Sequence, residues 1–322
     1  MTAAVYAVLV AFFVCAVLCK LFIPLLHRLK FGDVIRDDGP KEHEKKAGTP
    51  TMGGIMIILA IIFTSLWFFD SAEALAVVSV TIAFGIIGFL DDFVKIAQKR
   101  GSGFRGLRAY QKLLAQIIVA SGFVLFWRTL ESYSTSVIVP FFPQISLDLM
   151  YFYPVFAVLV FLGTTNGSNL TDGIDGMAAG VTAIIAVFFM FVAWRMDSPI
   201  MPITGAVVGA LLGFLLFNSH PAKVFMGDTG SLALGGFVAA TALMLGIPLL
   251  LIIIAIVYVI ESLSVIIQVT YFKLTGGRRF FKMAPIHHAF ELSGWSETKI
   301  TACSYVITAI AVFLGYIGLG GM

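Results

Sequence analysis

Charged side chains are scarce in this 322-residue chain, since Asp, Glu, Lys and Arg together make up 12% of it. An ordinary soluble domain carries about 25% charged residues, so the composition excludes that class. Apolar residues account for 59% of the chain, and the mean hydropathy is +0.99. The composition therefore predicts an integral membrane protein.

Cysteine is also rare, and none of the three cysteines has the spacing of a zinc site or a redox pair. Cys15 and Cys19 lie one turn apart in the first apolar run, and Cys303 lies in the last. We interpret all three as small apolar packing residues.

Apolar runs that can cross a bilayer, about 17–25 residues each, recur along the chain. No soluble domain interrupts them, so we expect residues 1–322 to form one all-α, polytopic membrane domain. Ten transmembrane helices are predicted, at residues 3–22, 55–69, 74–90, 113–127, 150–163, 180–194, 203–217, 232–245, 249–270 and 301–318.

Basic residues are almost absent from every second loop. Of the 21 Lys and Arg residues, 19 lie on one side of the predicted membrane, and the other side has only Arg128 and Arg195. Because positively charged loops are retained in the cytoplasm, we expect both termini and the 129–148 loop to face outward. The first run has its basic flank after it, the reverse of a signal peptide's order, so it is predicted to be a retained span.

The few acidic residues gather at helix ends on the basic, cytoplasmic side. Asp91 and Asp92 end the third run and are followed by Lys95 and Lys99. Taken alone, the pair fits a solvated helix end equally well. Two adjacent carboxylates repel each other, however, and a divalent cation is the usual means of keeping both ionised. The pair is therefore a candidate catalytic site.

A second acidic group lies in the glycine-rich connection 169–176. Asn169, Asp172 and Asp175 supply oxygen ligands or acceptors for sugar and base groups, and the connection has no basic residue. Gly173 and Gly176 permit tight turns and the close approach of a ligand. We predict a substrate-binding loop here, with an Asx-rich turn as the alternative.

The segment 218–231 has the sequence NSHPAKVFMGDTGS. Its glycines, with the hydroxyl groups of Thr229 and Ser231 before the eighth run, resemble a phosphate-accepting nest. Asp228 would repel an anion in that nest unless a cation lay between them, so we expect Asp228 to bind Mg²⁺. A capped helix start is the alternative.

Two adjacent histidines, His287 and His288, follow the basic residues of the last cytoplasmic loop. Sequence neighbours converge on one metal ion less readily than residues one turn apart, and soft metal ligands are missing elsewhere. Hydrogen bonding to phosphate or general acid–base work suits them better. A surface pair without a function is the alternative.

Two further features predict packing. Gly205, Gly209 and Gly213 line one face of the seventh run, which lets another helix approach closely. Glu261 lies deep within a predicted span, where exposure to lipid would be costly. We expect Glu261 to face the bundle interior and to be paired or protonated.

The motifs together resemble a known family. In order and spacing they are similar to those of the bacterial phospho-N-acetylmuramoyl-pentapeptide transferases, within the polyprenyl-phosphate N-acetylhexosamine-1-phosphate transferase superfamily. The resemblance runs from about residue 32 to 295 and implies ten helices, outward termini and an active site on the cytoplasmic face of the bacterial inner membrane. The matching stretches are 48–54, 91–92, 169–176, 225–231 and 285–288.

The resemblance implies a reaction of peptidoglycan biosynthesis. Undecaprenyl phosphate attacks the β-phosphate of UDP-N-acetylmuramoyl-pentapeptide, giving lipid I and UMP, with Mg²⁺ required. One pyrophosphate linkage replaces another, so no ATP-binding motif is needed, and none is present. No nucleic-acid partner is implied, and a homodimer is left open.

The resemblance also implies residue roles. Asp228 is the metal ligand, while Asp91 and Asp92 bind or deprotonate the lipid phosphate, with a covalent carboxylate route as the alternative. His287 and His288 are further catalytic candidates, and Ala289 stands where the family commonly has a third His. Phe225 is a stacking surface for uracil, and Lys99 lies near the diphosphate. The implied substrate-binding residues are Lys46, Thr51, Lys95, Lys99, Asn169, Asp172, Asp175, Asn218, Phe225, Gly227, Ser231 and Gln268.

Other functions are weighed against this one. A sister transferase that uses UDP-N-acetylglucosamine is a close rival, although stretches 48–54 and 285–288 favour the muramoyl branch. A proton-coupled transporter would place its carboxylates near the bilayer midplane, whereas these lie at helix ends. The missing inverted repeat also counts against a carrier. A scaffolding membrane protein would need no Mg²⁺.

Overall fold

The computed structural model describes residues 1–28, 46, 48–98 and 106–320. Helices dominate this part, and one antiparallel hairpin joins them. The helices are α1 (Thr2–Arg28), α2 (Gly54–Phe68), α3 (Ala72–Gln98), α4 (Ala109–Trp127), α5 (Tyr153–Thr171), α6 (Met177–Arg195), α7 (Met201–Asn218), α8 (Gly227–Met244), α9 (Leu251–Ile254), α10 (Ile256–Leu274), α11 (Ile286–Glu291) and α12 (Glu297–Gly318), and the strands are β1 (Ser136–Val139) and β2 (Phe142–Asp148).

Eight helices in the described part of the chain are long and apolar enough to cross a membrane. They are α1, α3, α4, α5, α6, α7, α10 and α12. The predicted second run forms α2, which has only 15 residues, and the eighth forms α8, which is not among the eight. The helical, multi-pass class is thus confirmed, while ten spans and outward termini stay predictions.

Two details differ from the sequence prediction. The outward segment expected as a loop contains the β1–β2 hairpin, with Val137 paired to Leu147. Its β-branched residues suit a pleated strand better than a coil, and the all-α prediction overlooked them. The predicted ninth span is divided, because Ala255 leaves the helical conformation (φ −102°, ψ 32°) between α9 and α10.

The small-residue face of α7 packs along α1, as predicted. A Cβ added at Gly209 would lie 2.0 Å from the carbonyl oxygen of Val8, and one at Gly205 would lie 2.6 Å from that of Ala4. Gly213 meets the next turn of α1 in the same way. A larger side chain at any of these positions would force the two helices apart.

Glu261 faces the interior of the bundle, as predicted. It is 3% exposed, and its Oε2 lies 3.1 Å from Nδ1 of His287. A buried carboxylate is costly unless it is paired. The contact joins α10 to the short helix α11.

Close backbone approaches bring α2, α3 and α8 together. A Cβ added at Gly54 would lie 2.1 Å from the backbone nitrogen of Gly230, and one at Gly88 would lie 2.0 Å from the carbonyl oxygen of Asp228. Only glycine permits contacts this short. The last turns of α3 are therefore held against the first turn of α8.

Candidate active site

Three carboxylates meet where α3 ends and α8 begins. Asp91, Asp92 and Asp228 form this group, which we call the carboxylate cluster. Asp91 and Asp92 are each 4% exposed, so they are not a solvated helix end. Lys95 Nζ joins the three, at 2.9 Å from Asp91, 3.7 Å from Asp92 and 3.0 Å from Asp228.

Lys112 of α4 brings a second ammonium group to the cluster. Its Nζ lies 2.7 Å from Asp228 Oδ2 and 3.6 Å from Asp91 Oδ2. Burial works against ionisation of Asp228, but its contact with Asp91 and the ammonium groups of Lys112 and Lys95 hold the pKa of the carboxyl well below its ordinary range. Sequence reasoning missed Lys112, whose only signal was a basic residue near the start of an apolar run.

N–H groups in the first turn of α8, which have no partner within the helix, donate hydrogen bonds to Asp92. The backbone N–H groups of Asp228 and Thr229 lie 3.2 and 2.9 Å from the carboxylate, and the Thr229 hydroxyl donates to it at 2.8 Å. These are donors that the sequence assigned to a phosphate. The sequence prediction that these groups bind a phosphate is therefore wrong for this structure. Their hydrogen bonds are already accepted by the Asp92 carboxylate of α3.

Asn169 and Ser231 line the other side of Asp228. Asn169 Nδ2 donates to Asp228 Oδ1 at 2.8 Å and to Ser231 Oγ at 2.9 Å. Ser231 Oγ in turn donates to the carbonyl oxygen of Gly227 at 3.0 Å. Gly227 has φ +72°, and a Cβ there would lie 2.7 Å from Asp92 Oδ2. These three predicted residues thus converge on the cluster.

A second polar group surrounds Lys46, and we call it the Lys46 cluster. Lys46 Nζ lies 2.7 Å from Asp175 Oδ1 and 2.6 Å from Glu297 Oε2. His220 Nδ1 lies 3.0 Å from Asp175 Oδ2. Burial lowers the pKa of Lys46, but hydrogen bonds to the two carboxylates outweigh burial and raise that pKa above its usual value.

The Lys46 cluster also has the spacing of a metal site. Single ligand atoms of Asp175, His220 and Glu297 lie within 4.8 Å of one another, close enough to share an ion. The ammonium group of Lys46 already lies at the two carboxylates. The sequence did not predict His220 or Glu297.

Phe225 lies next to the Lys46 cluster and immediately before the start of α8. Lys46 Nζ lies 5.9 Å from the centre of its ring. The carbonyl oxygen of Phe225 accepts the N–H of Gly53 at 2.8 Å, which ties the segment before α2 to the segment before α8. Thr51 lies in the segment before α2. A Cβ added at Gly227 would lie 2.8 Å from the hydroxyl oxygen of Thr51.

Each of the two histidines lies next to a carboxylate of the protein. His287 is 1% exposed and lies against Glu261. A Cβ at Gly173 would lie 2.2 Å from His287 Nε2, so this ring packs on the 169–176 loop. His288 Nδ1 lies 2.6 Å from Glu291 Oε2. Their predicted catalytic work stays a prediction.

Asn218 and Gln268 hold loops in place. Asn218 Nδ2 donates to the carbonyl oxygen of Val224 at 2.9 Å. Gln268 Oε1 accepts the N–H groups of Phe280 at 3.1 Å and Phe281 at 2.9 Å, while its Nε2 donates to Phe281 at 3.2 Å. Substrate binding by either residue stays a prediction.

Two other predicted substrate-binding residues complete the set. Asp172 is partly buried at the end of α5, where its N–H donates to the carbonyl oxygen of Asn169 at 3.3 Å. Lys99 lies outside the described residues. Its place near the diphosphate stays a prediction.

Comparison with known proteins identifies relatives along almost the whole chain. Residues 74–246 match glycosyl transferase family 4, and residues 46–58 match phospho-N-acetylmuramoyl-pentapeptide-transferase signature 1. A phospho-N-acetylmuramoyl-pentapeptide-transferase of Caldanaerobacter subterraneus is 48% identical, with 98% of both chains covered. Proteins of that name from Clostridium kluyveri and Halalkalibacterium halodurans are also 48% identical, covering 98% and 95% of this chain and 99% and 94% of their own. The chain belongs to the phospho-N-acetylmuramoyl-pentapeptide-transferase family.

Proposed function

We propose that this protein transfers phospho-N-acetylmuramoyl-pentapeptide from UDP-N-acetylmuramoyl-pentapeptide to undecaprenyl phosphate, giving lipid I and UMP. The reaction takes place at the cytoplasmic face of the bacterial inner membrane. The near full-length relatives that bear the transferase name support the donor. The observation that carries the proposal is the carboxylate cluster with its two lysines, because a phosphoryl transfer between two anions needs such a site.

Mg²⁺ is the proposed cofactor, with Asp228 as its ligand and Asp91 and Asp92 beside it. Among the described residues, three carboxylates face the two ammonium groups of Lys95 and Lys112, which leaves one negative charge to be compensated. Mg²⁺ prefers such carboxylate oxygens, so the donor set fits the ion. When bound, the ion would neutralise charge on the diphosphate.

Lys95 and Lys112 reduce the repulsion between the two substrates. Each pair of unit charges about 4 Å apart repels by roughly 4 kcal/mol at an effective dielectric constant near 20. Ammonium groups next to the transferring phosphate offset this repulsion and stabilise charge in an in-line transfer. Both lysines are already held at Asp228 by ion pairs.

Asp91 and Asp92 stand on the acceptor side of the proposed reaction. The exposed apolar side chains of Leu90 and Phe93 flank the pair on α3. A polyprenyl chain could therefore lie against this helix while its phosphate reaches the cluster. Direct attack by the lipid phosphate and a covalent carboxylate route both agree with these positions.

Phe225 and Lys46 are the proposed contacts for the uridine part of the donor. An aromatic face offers a stacking surface for a base, and a lysine next to it offers a hydrogen-bond donor. The segment 51–53 links this pair to Gly227 and the carboxylate cluster. In the proposed complex, one donor molecule contacts both clusters.

A two-donor assay tests the function. The purified protein is given undecaprenyl phosphate, Mg²⁺ and either radiolabelled UDP-N-acetylmuramoyl-pentapeptide or UDP-N-acetylglucosamine. We expect labelled lipid and stoichiometric UMP from the muramoyl donor alone. Transfer from the N-acetylglucosamine donor alone would make the protein a sister transferase. A failure to release UMP from either donor would contradict a transferase altogether.

A further inference from the structure

Glu297 lies outside every motif described above, yet it is a buried member of the Lys46 cluster. It is the first residue of α12, and its Oε2 lies 2.6 Å from Lys46 Nζ. The positive end of a helix favours an anion in the first turn. A buried carboxylate also needs a partner of opposite charge, and Lys46 provides it.

Asp175 is anchored by contacts that do not involve Glu297. Asp175 Oδ2 accepts the N–H of Ala222 at 3.0 Å and lies 3.0 Å from His220 Nδ1. The carbonyl oxygen of Asp175 accepts the hydroxyl of Thr301 at 3.2 Å. Lys46, by contrast, has a long side chain that reaches the cluster only through its ammonium group. Glu297 Oε2 also lies 3.7 Å from His220 Nδ1, but its contact with Lys46 Nζ, at 2.6 Å, is the shorter of the two.

We propose that Glu297 is a positioning residue for the donor nucleotide and that it acts through Lys46. By sharing the ammonium group with Asp175, it keeps Lys46 Nζ beside the Phe225 ring before the donor arrives. A free lysine side chain loses much rotamer freedom when it is ordered. Because Glu297 and Asp175 already hold Lys46 in the folded protein, its rotamer freedom is lost on folding rather than on nucleotide binding. This strengthens binding of the nucleotide. The inference rests on the proposed uridine site.

An opposing effect works against donor binding. Glu297 carries a negative charge, and a neutral residue would repel an anionic nucleotide less. Glu297 lies directly on Lys46, however, so its loss removes one of the two carboxylates that hold the ammonium group in place. We expect the loss of positioning to be the larger effect.

A double-mutant cycle with UMP as the probe tests the proposal. The wild type, Glu297→Gln, Lys46→Gln and the double variant are titrated with UMP in a calorimeter. We expect Glu297→Gln to weaken UMP binding about tenfold, a change of about 1.4 kcal/mol. In the Lys46→Gln background the same substitution should weaken binding no further, because the positioning effect of Glu297 acts through Lys46. In steady-state assays KM for the donor should rise while kcat stays within about twofold.

Two control variants separate the explanations. Glu131→Gln changes an exposed glutamate between α4 and β1 and should bind UMP like the wild type. If Glu297→Gln does not fold, the cycle is repeated with Glu297→Asp, which keeps the negative charge. Unchanged or tighter UMP binding by Glu297→Gln, or additive effects in the cycle, would overturn the positioning role. A wild type that binds no UMP and transfers nothing would instead refute the proposed function.

Discussion

Lys112 carries a role that no motif indicated. Its ammonium group lies 2.7 Å from Asp228 Oδ2 and shares the cluster with Lys95. Removing one partner of a partly buried ion pair leaves its carboxylate less compensated. We predict that Lys112→Gln lowers kcat at least about tenfold. That factor corresponds to a loss of roughly 1.4 kcal/mol of transition-state stabilisation.

A matched lysine makes this prediction specific. Lys20→Gln changes an exposed lysine on α1 and should leave kcat unaltered. The measurement is the initial rate of lipid product at saturating donor and Mg²⁺. A near-normal rate for Lys112→Gln would show that the second ammonium group is dispensable.

The convergence of Asn169, Asp228 and Ser231 could be predicted, because each stands in a short polar motif beside an apolar run. Lys112 and Glu297 could not be predicted in the same way. Lys112 bonds a residue 116 positions away, and Glu297 bonds one 251 positions away. Pairs so far apart leave no local pattern, and only the packing of the helices shows them.

At the scale of helices, the approach of α3 to α8 decides where the carboxylates lie. A Cβ at Gly88 would meet the carbonyl oxygen of Asp228 at 2.0 Å, and backbone cannot move aside as a flexible side chain can. We predict that Gly88→Ala lowers the melting temperature and abolishes most transfer.

Gly122→Ala on α4 is the control, because a Cβ there meets nothing within 4 Å. Alanine is the better helix former, so this variant should be as stable as the wild type or slightly more stable. Both variants are compared by thermal unfolding in detergent and by the transfer assay. Equal melting temperatures and rates for the two would contradict the close helix contact.

Hydropathy predicted the helices well because burial and lipid exposure both demand apolar side chains along each one. It did not predict the break at Ala255, since alanine is the best helix former and no proline or glycine stands there. It also missed the hairpin. Four residues in β1 are too short a run to stand out beside spans of 18 residues or more.

At the scale of the whole molecule, the charge distribution predicts its orientation. The connection that contains Ser132 should face outward, and the loop that contains Ser293 should face the cytoplasm. The reason is that the basic residues lie on the same side of the membrane as Ser293. Cysteines introduced at these two exposed positions should react with an impermeant maleimide from opposite sides of the membrane. Labelling from the same side would contradict the predicted topology.

We predict that the carboxylate cluster holds Mg²⁺ at Asp228 while Asp91 and Asp92 bind the lipid acceptor. Replacing Asp228 removes the proposed ligand itself, whereas replacing Asp92 disturbs the acceptor side and the start of α8. The two variants should therefore lose transfer for different reasons.

The most direct test is a titration of UDP-N-acetylmuramoyl-pentapeptide with and without Mg²⁺, together with the transfer rate. In the wild type, Mg²⁺ should strengthen donor binding. Asp228→Asn should lose both transfer and the Mg²⁺ effect, while Asp92→Asn should lose most transfer and keep the Mg²⁺ effect. Near-normal transfer by Asp228→Asn with an unchanged Mg²⁺ optimum would contradict the assignment of the metal to this residue.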